Sequence, residues 1–146
     1  MKAVITQNID GLHQAAGSKN VIELHGSVLR NYCIECGKAY GMEHILQAEG
    51  IPLCERCGGI VRPDIVLYQE EVEAEVLRKA KEAIKEADTL IVGGTSLVVH
   101  PAAGLIEHFR GKHLVLINKS ETQYDDRADL VIHDAIGTVF SGLYAF

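Results

Sequence analysis

A chain of 146 residues has room for one compact domain, or one domain carrying a small inserted module, and not for two full-sized ones. An apolar fraction of 47% with only three prolines excludes a disordered chain, which would lack the apolar surface to offset its conformational entropy. Lys+Arg 14 against Asp+Glu 20 leaves a net charge of −6 with no basic run or basic-aromatic stripe, so a nucleic-acid backbone is not the expected partner.

Along the chain, Val4-Ile5-Thr6 reads as a short buried strand that runs into the polar turn Gln7-Asn8-Ile9-Asp10-Gly11. A helical stretch follows, with Leu12 and Ala16 at i, i+4 and Gly17 as its stop. A second strand, Val21 to Leu24, ends in His25-Gly26. The composition then changes to a cysteine-bearing stretch, residues 27–62, which reads as an inserted module with a short helix from Met42 to Glu49 closed by Gly50. Residues 1–26 and 63–146 form the two segments of the surrounding domain.

After Pro63, Ile65-Val66-Leu67-Tyr68 predicts a strand, and Glu71 to Ala87 predicts the best helix of the chain. Val72, Val76, Ala80, Ala83, Ile84 and Ala87 form its apolar stripe, and Glu75 with Lys79 makes an i, i+4 pair. Thr89-Leu90-Ile91-Val92 is a continuous apolar strand, followed by Gly93-Gly94-Thr95-Ser96 and a helix that Pro101 starts and Gly111 ends. Leu114 to Ile117 and Leu130 to Ile132 supply two further strands. Apolar strands alternating with helices predict an α/β domain with a mostly parallel sheet covered on both faces. No apolar run approaches the roughly 18 residues of a spanning helix. The opening, Met1 to Gln7, carries no charged-then-apolar leader, so the expected location is cytoplasmic with no membrane partner.

Three constellations carry chemistry. The spacing Cys33-x2-Cys36-x17-Cys54-x2-Cys57 falls in the range of a four-thiolate zinc ribbon, in which each pair forms a knuckle, and four thiolates leave no open position for catalysis. Gly37 and Gly58 follow the second cysteine of each pair, as a tight turn needs; the competing reading is four free cysteines or a redox pair. Gly93-Gly94-Thr95-Ser96, between a buried strand and a helix, is either an anion-holding turn or an ordinary strand-to-helix connection. The full G-x-G-x-x-G fingerprint occurs nowhere in the chain. Lastly, Gln7, Asn8 and Asp10 at the end of one strand and His25 at the end of the next would share one rim of a doubly wound sheet. His25 is one of seven histidines, and position alone leaves it open between a general base and a structural ring.

Taken together, several motifs occur in the order found in sirtuins, the NAD-dependent protein-lysine deacylases. They are Thr6-Gln7-Asn8-Ile9-Asp10-Gly11-Leu12-His13, Glu23-Leu24-His25-Gly26, the paired cysteines, Arg62-Pro63-Asp64-Ile65-Val66, Gly94-Thr95-Ser96-Leu97 with Val99-His100-Pro101-Ala102, and Ile117-Asn118. The resemblance spans essentially the whole chain and implies a Rossmann-type fold with a structural zinc module.

By that resemblance Asn8, Ile9 and Asp10 line a nicotinamide pocket, Gln7 positions the nicotinamide ribose, and Asn8 and His25 are the catalytic residues. His25 would act as general base on a ribose hydroxyl after the acyl oxygen has displaced nicotinamide at C1′ to give an alkylimidate. An imidazole suits the task, being largely neutral at pH 7. Gly94, Thr95 and Ser96 would meet the phosphate and ribose portion of NAD, Asn118 the adenosine ribose, and Ile136 the cofactor near its adenine end. Val66, Leu67 and Tyr68 with Val98, Val99 and His100 would clamp an acyl-lysine peptide by strand addition. Products would be nicotinamide, deacylated lysine and O-acyl-ADP-ribose.

The departures from the family pattern carry expectations of their own. These residues include no Gly-Ala-Gly-Ile-Ser phosphate loop, no Pro-Asp-Phe-Arg stretch and no first strand, which by resemblance is central in the sheet. The reading is therefore a shortened form with impaired NAD binding, which associates or exchanges strands to cover two apolar edges. Gln69 stands where the family has glycine before glutamate, and Asp134-Ala135-Ile136 replaces a small-residue adenine loop. The alternative from another class is a non-catalytic zinc-ribbon module that binds ADP-ribose or a protein on a sirtuin-derived scaffold.

Overall fold

The computed structural model describes residues 1–143. By its internal packing the chain divides into two compact units, Met1–Leu77 and Arg78–Phe146, with the division falling inside a helix.

In the first unit, β1 (Val4–Thr6) and β2 (Val21–Glu23) form a parallel pair in which Val4 faces Val21 and Thr6 faces Glu23. The connection contains a single-turn helix, α1 (Leu12–Ala15), whose first free N–H, that of Leu12, is taken by the Asp10 carboxylate at 2.9 Å. The long strand β3 (Gly26–Cys33) then pairs antiparallel with β4 (Ala39–Tyr40) on one side and β5 (Val61–Ile65) on the other. The β3–β5 register shifts between Ser27 and Asn31, and Asn31 faces Pro63, which has no N–H to offer a ladder. A short helix, α2 (Met42–Leu46), and an isolated bridge between Leu53 and Ile60 complete the cysteine-bearing stretch. Its small core is Cys33, Cys54 and Val61, with Cys36, Tyr40 and Ile45 packed against them.

Helix α3 (Ala74–Lys85) leads into the second unit, where Ala80 and Ile84 are its buried residues. There β6 (Thr89–Gly93), β7 (His113–Ile117) and β8 (Leu130–Ile132) form a parallel sheet in that order. A 3-10 helix, Ala102–His108, joins β6 to β7, and α4 (Ile136–Leu143) follows β8. The core here is Leu97, Ile106, Leu114, Leu116 and Tyr124. Two parallel sheets and an antiparallel zinc-ribbon-like module bear out the α/β, Rossmann-type reading. No helix among the described residues is long and apolar enough to cross a membrane.

Several element expectations need correction. The strand expected at Ile65 to Tyr68 is instead β5, Val61–Ile65, because the Glu70 carboxylate takes the Leu67 N–H at 2.9 Å and the Glu70 N–H returns to the Leu67 carbonyl, closing a turn. Helix α3 begins at Ala74 rather than Glu71, and α2 ends at Leu46 rather than Glu49. The segment after Pro101 is a 3-10 helix. The strand β4, the Leu53–Ile60 bridge and α4 were outside the sequence expectations.

Candidate functional site

Parallel pairing brings the carboxyl ends of β1 and β2 side by side, and the chain leaves both in tight polar turns. The Leu24 N–H donates to the Thr6 carbonyl at 2.9 Å, extending the pairing by one residue and setting His25 beside the loop that starts at Gln7. His25 Nδ1 lies 2.9 Å from the Gln7 carbonyl oxygen. Because a carbonyl only accepts, Nδ1 carries the proton of the neutral ring and Nε2 carries the lone pair.

The loop itself is fastened at each step. Thr6 Oγ1 accepts the Asn8 N–H at 3.0 Å, the Ile9 carbonyl accepts the Val28 N–H at 3.0 Å, and Asp10 caps α1. Gly26, at φ 73°, is required where it stands: a Cβ there would fall on the Asp64 carbonyl oxygen, so only glycine lets β3 leave His25 along β5. The His25 carbonyl in turn accepts the Val66 N–H at 3.0 Å. Gln7, Asn8, Ile9, Asp10, His25 and Val66 are thus gathered at one end of the first unit. Leu67 and Tyr68 continue from Val66 with half or more of their surface exposed.

The segment carrying Val66 to Tyr68 is held by an ion pair. Arg62 Nη1 and Nη2 meet the two Glu70 carboxylate oxygens at 2.7 and 3.0 Å, and Nη2 also donates to the Ile65 carbonyl. The Arg62 guanidinium, then the Leu67 N–H, hold the Glu70 carboxyl down at about 2. Sequence reading did not assign Arg62 or Glu70 a role; both lie beside named substrate residues, which is the signal that was available.

In the second unit, a cavity of about 350 Å³ opens at the carboxyl ends of β6 and β7. Gly94, Asn118 and Ile136 line it together with Ile117, Lys119, Ser120, Asp134, Ala135 and Gly137. Gly94 takes a left-handed turn, φ 63°, with its N–H on the Ile117 carbonyl, and Asn118 Nδ2 donates to the Ser120 carbonyl at 2.8 Å. A Cβ at Gly93 would collide with the tip of the Ile136 side chain, which lines the cavity, whereas one at Gly94 would meet nothing within 4 Å. Thr95 and Ser96 follow Gly94 without lining this cavity; the Thr95 hydroxyl accepts the Leu97 N–H. Val98, Val99 and His100 come next, with Val98 and Val99 exposed and the Val99 carbonyl accepting the Ala103 N–H. The lining by Lys119, Ser120 and Gly137 was not anticipated, because those positions carry no motif of their own.

The four cysteines converge as the spacing predicted. All four Sγ atoms lie within 4.8 Å of one another, with Cys33 to Cys57 at 3.5 Å and Cys36 to Cys54 at 3.6 Å. A tetrahedral zinc with Zn–S bonds of about 2.3 Å sets its sulfurs about 3.8 Å apart, so the donor set fits the ion. Cys33 and Cys54 are buried, at 0% and 3% exposure, and among the described residues none of the four is in a disulfide. The Tyr40 hydroxyl first, then the Arg56 and Cys57 backbone N–H groups, draw the Cys54 thiol down to about 6 against the effect of burial. At Cys57 the Gly59 backbone pulls the other way, yet the Cys36 and Cys33 sulfurs and burial push the thiol up to about 12. Four thiol sulfurs converging at this spacing are a donor set for a dication, whose binding displaces their protons.

Comparison with known proteins bears on these groups. A family model described as the Sir2 family matches residues 1–101. Two relatives, each an NAD-dependent protein deacetylase, come from Clostridium perfringens and Clostridium acetobutylicum. They are 66% and 62% identical over 140 residues, 95% of this chain and 57% of each relative. A solved structure of Sir2 with a p53 peptide and NAD+ is 43% identical with a TM-score of 0.89, covering 98% of this chain and 62% of that one. A structure of Sir2Tm bound to a propionylated peptide is 44% identical with a TM-score of 0.91, again covering 98% and 62%. The chain therefore spans a little over half the length of the curated relatives it matches.

Proposed function

The chain belongs to the Sir2 family, and on that premise we propose that its residues serve NAD-dependent removal of acyl groups from protein lysines in the cytoplasm. The observation that carries the proposal is the His25 ring. Its Nδ1–H is committed to the Gln7 carbonyl, so Nε2 is set to take a proton, at the strand ends where Gln7, Asn8, Ile9 and Asp10 also lie. A binding module has no physical need for an imidazole oriented in this way, and the enzyme reading is the one we hold.

NAD, when bound, supplies a ribose carbon from which nicotinamide departs and to which the acyl oxygen adds. The chain's residues do the rest. Asn8, Ile9 and Asp10 would receive the nicotinamide end, with Gln7 at its ribose, and His25 Nε2 would take the proton of a ribose hydroxyl. In the second unit Gly94, Asn118 and Ile136 would hold the adenosine part in the cavity they line, with Thr95 and Ser96 toward the phosphates. Val66, Leu67 and Tyr68 in the first unit, and Val98, Val99 and His100 in the second, would each offer backbone groups to the acyl-lysine peptide. Zinc held by Cys33, Cys36, Cys54 and Cys57 closes the inserted module and takes no part in the reaction. With no glycine-rich phosphate loop among its 146 residues, the chain by itself would hold NAD weakly.

The test is formation of deacetylated peptide and O-acetyl-ADP-ribose from an acetyl-lysine peptide and NAD at raised concentration, followed by mass spectrometry. Removing a general base costs about 100-fold or more, so His25→Ala should fall by at least that factor. Equal turnover by the variant, or none by the parent chain, overturns the proposal.

A further inference from the structure

Within the cysteine module one side chain makes more directed contacts to the metal ligands than packing requires. Tyr40 lies on β4, four residues beyond Cys36, and packs against the buried cluster of Cys33, Cys54 and Val61. Its hydroxyl lies 3.1 Å from Cys54 Sγ and accepts the Glu55 backbone N–H at 2.9 Å. A phenol oxygen that already accepts an N–H has its own hydrogen left to give, and the nearest acceptor is that sulfur.

The ring that carries the hydroxyl is itself held. His44 stacks on it with centroids 4.1 Å apart, and Lys38 Nζ sits 4.8 Å from its centroid. Both neighbours also reach across to the second cysteine pair: Lys38 Nζ pairs with Glu55 at 2.9 Å, and the His44 Nε2–H donates to the Leu53 carbonyl at 3.0 Å. Three side chains from residues 38 to 44 thus grip residues 53 to 55. Only one of the three touches a ligand sulfur.

We propose that Tyr40 is a positioning residue of the four-cysteine metal centre, whose hydroxyl donates to Cys54 Sγ and so withdraws charge from that one thiolate while fixing its direction. This rests on the metal centre and not on the deacylation reading. A packing role would be met equally by phenylalanine. The hydroxyl adds a charge-assisted bond at a single sulfur, alongside the Arg56 N–H that reaches the same atom at 3.4 Å.

The test replaces zinc by cobalt(II) in the full chain and reads the thiolate-to-metal charge-transfer absorption, which moves to lower energy when a sulfur loses a hydrogen bond. Tyr40→Phe should shift part of that band to lower energy. His44→Leu removes the stacked ring and its bond to Leu53 without touching the hydroxyl and should leave the band in place. Should Tyr40→Phe not fold, 3,5-difluorotyrosine at position 40 keeps the ring and strengthens the donor, and the band should move to higher energy. An unshifted band in Tyr40→Phe, or an equal shift in His44→Leu, overturns the role of the hydroxyl. A parent chain that takes up no cobalt overturns the metal centre together with it, whatever the outcome for His25 and deacylation.

Discussion

Gln69 holds a left-handed backbone, φ 75°, in the turn that carries the chain from Val66 to Glu70. A Cβ there crowds the following carbonyl at a cost of about 1–2 kcal/mol. The glycine that sirtuins place at this position adopts the same backbone without that cost, and Gln69→Gly should stabilise the protein by about 1 kcal/mol in denaturant titrations. A lower midpoint for the variant would refute the argument. Its neighbour Glu70 sets a pH window. The Arg62 guanidinium and the Leu67 N–H hold its carboxyl at about 2 in the folded chain against an ordinary 4.5. Because the folded value is the lower one, the pair contributes fully above pH 4.5, and the contribution is lost as pH falls toward about 2. Glu70→Gln has no proton to take up. Its stability should fall less steeply than that of the parent between those limits, and parallel curves would show that the pair does not hold the turn.

At the scale of elements, the inserted module depends on its metal more than on its strands. Strand β4 has two residues, the Leu53–Ile60 pairing is a single bridge, and the small core consists largely of the cysteines themselves. Chelation of the metal-loaded chain should therefore release amide protection at Cys33, β4 and Leu53 to Ile60, while β6, β7 and β8 keep theirs, as read by hydrogen exchange. Simultaneous loss in both regions would mean that the units melt as one. The same contrast explains what was legible. Cysteine spacing encodes a local geometry, and alternating apolar runs encode β6, β7 and β8, so these could be read residue by residue. Strand β5 was hidden by Pro63, whose missing N–H is absorbed at the register shift beside Asn31. Helix α4 was hidden by Gly137 and Gly142, poor helix formers within eight residues. Tyr40 could not be singled out, because its partner lies 14 residues away and meets it only in the folded module.

For the whole molecule, the informative feature is which backbone edges lack a neighbour. Among the described residues β1 pairs only with β2, and β6 pairs only with β7. Two strands alone are marginal in water, and β1–β2 has three residues a side. The other edge belongs to a five-residue apolar strand, β6, whose Ile91 is 50% exposed. Open N–H and C=O groups beside apolar side chains favour strand addition from a second chain, since each new pairing satisfies backbone and buries surface together. We expect light scattering to give a dimer or larger species that dissociates on dilution. Ile91→Lys puts a charge on that strand, desolvation of which opposes pairing, and should return the chain to a monomer. If the parent chain stays monomeric at every concentration, or the lysine variant associates as strongly, then these edges are closed by some other means and the expectation of self-association fails.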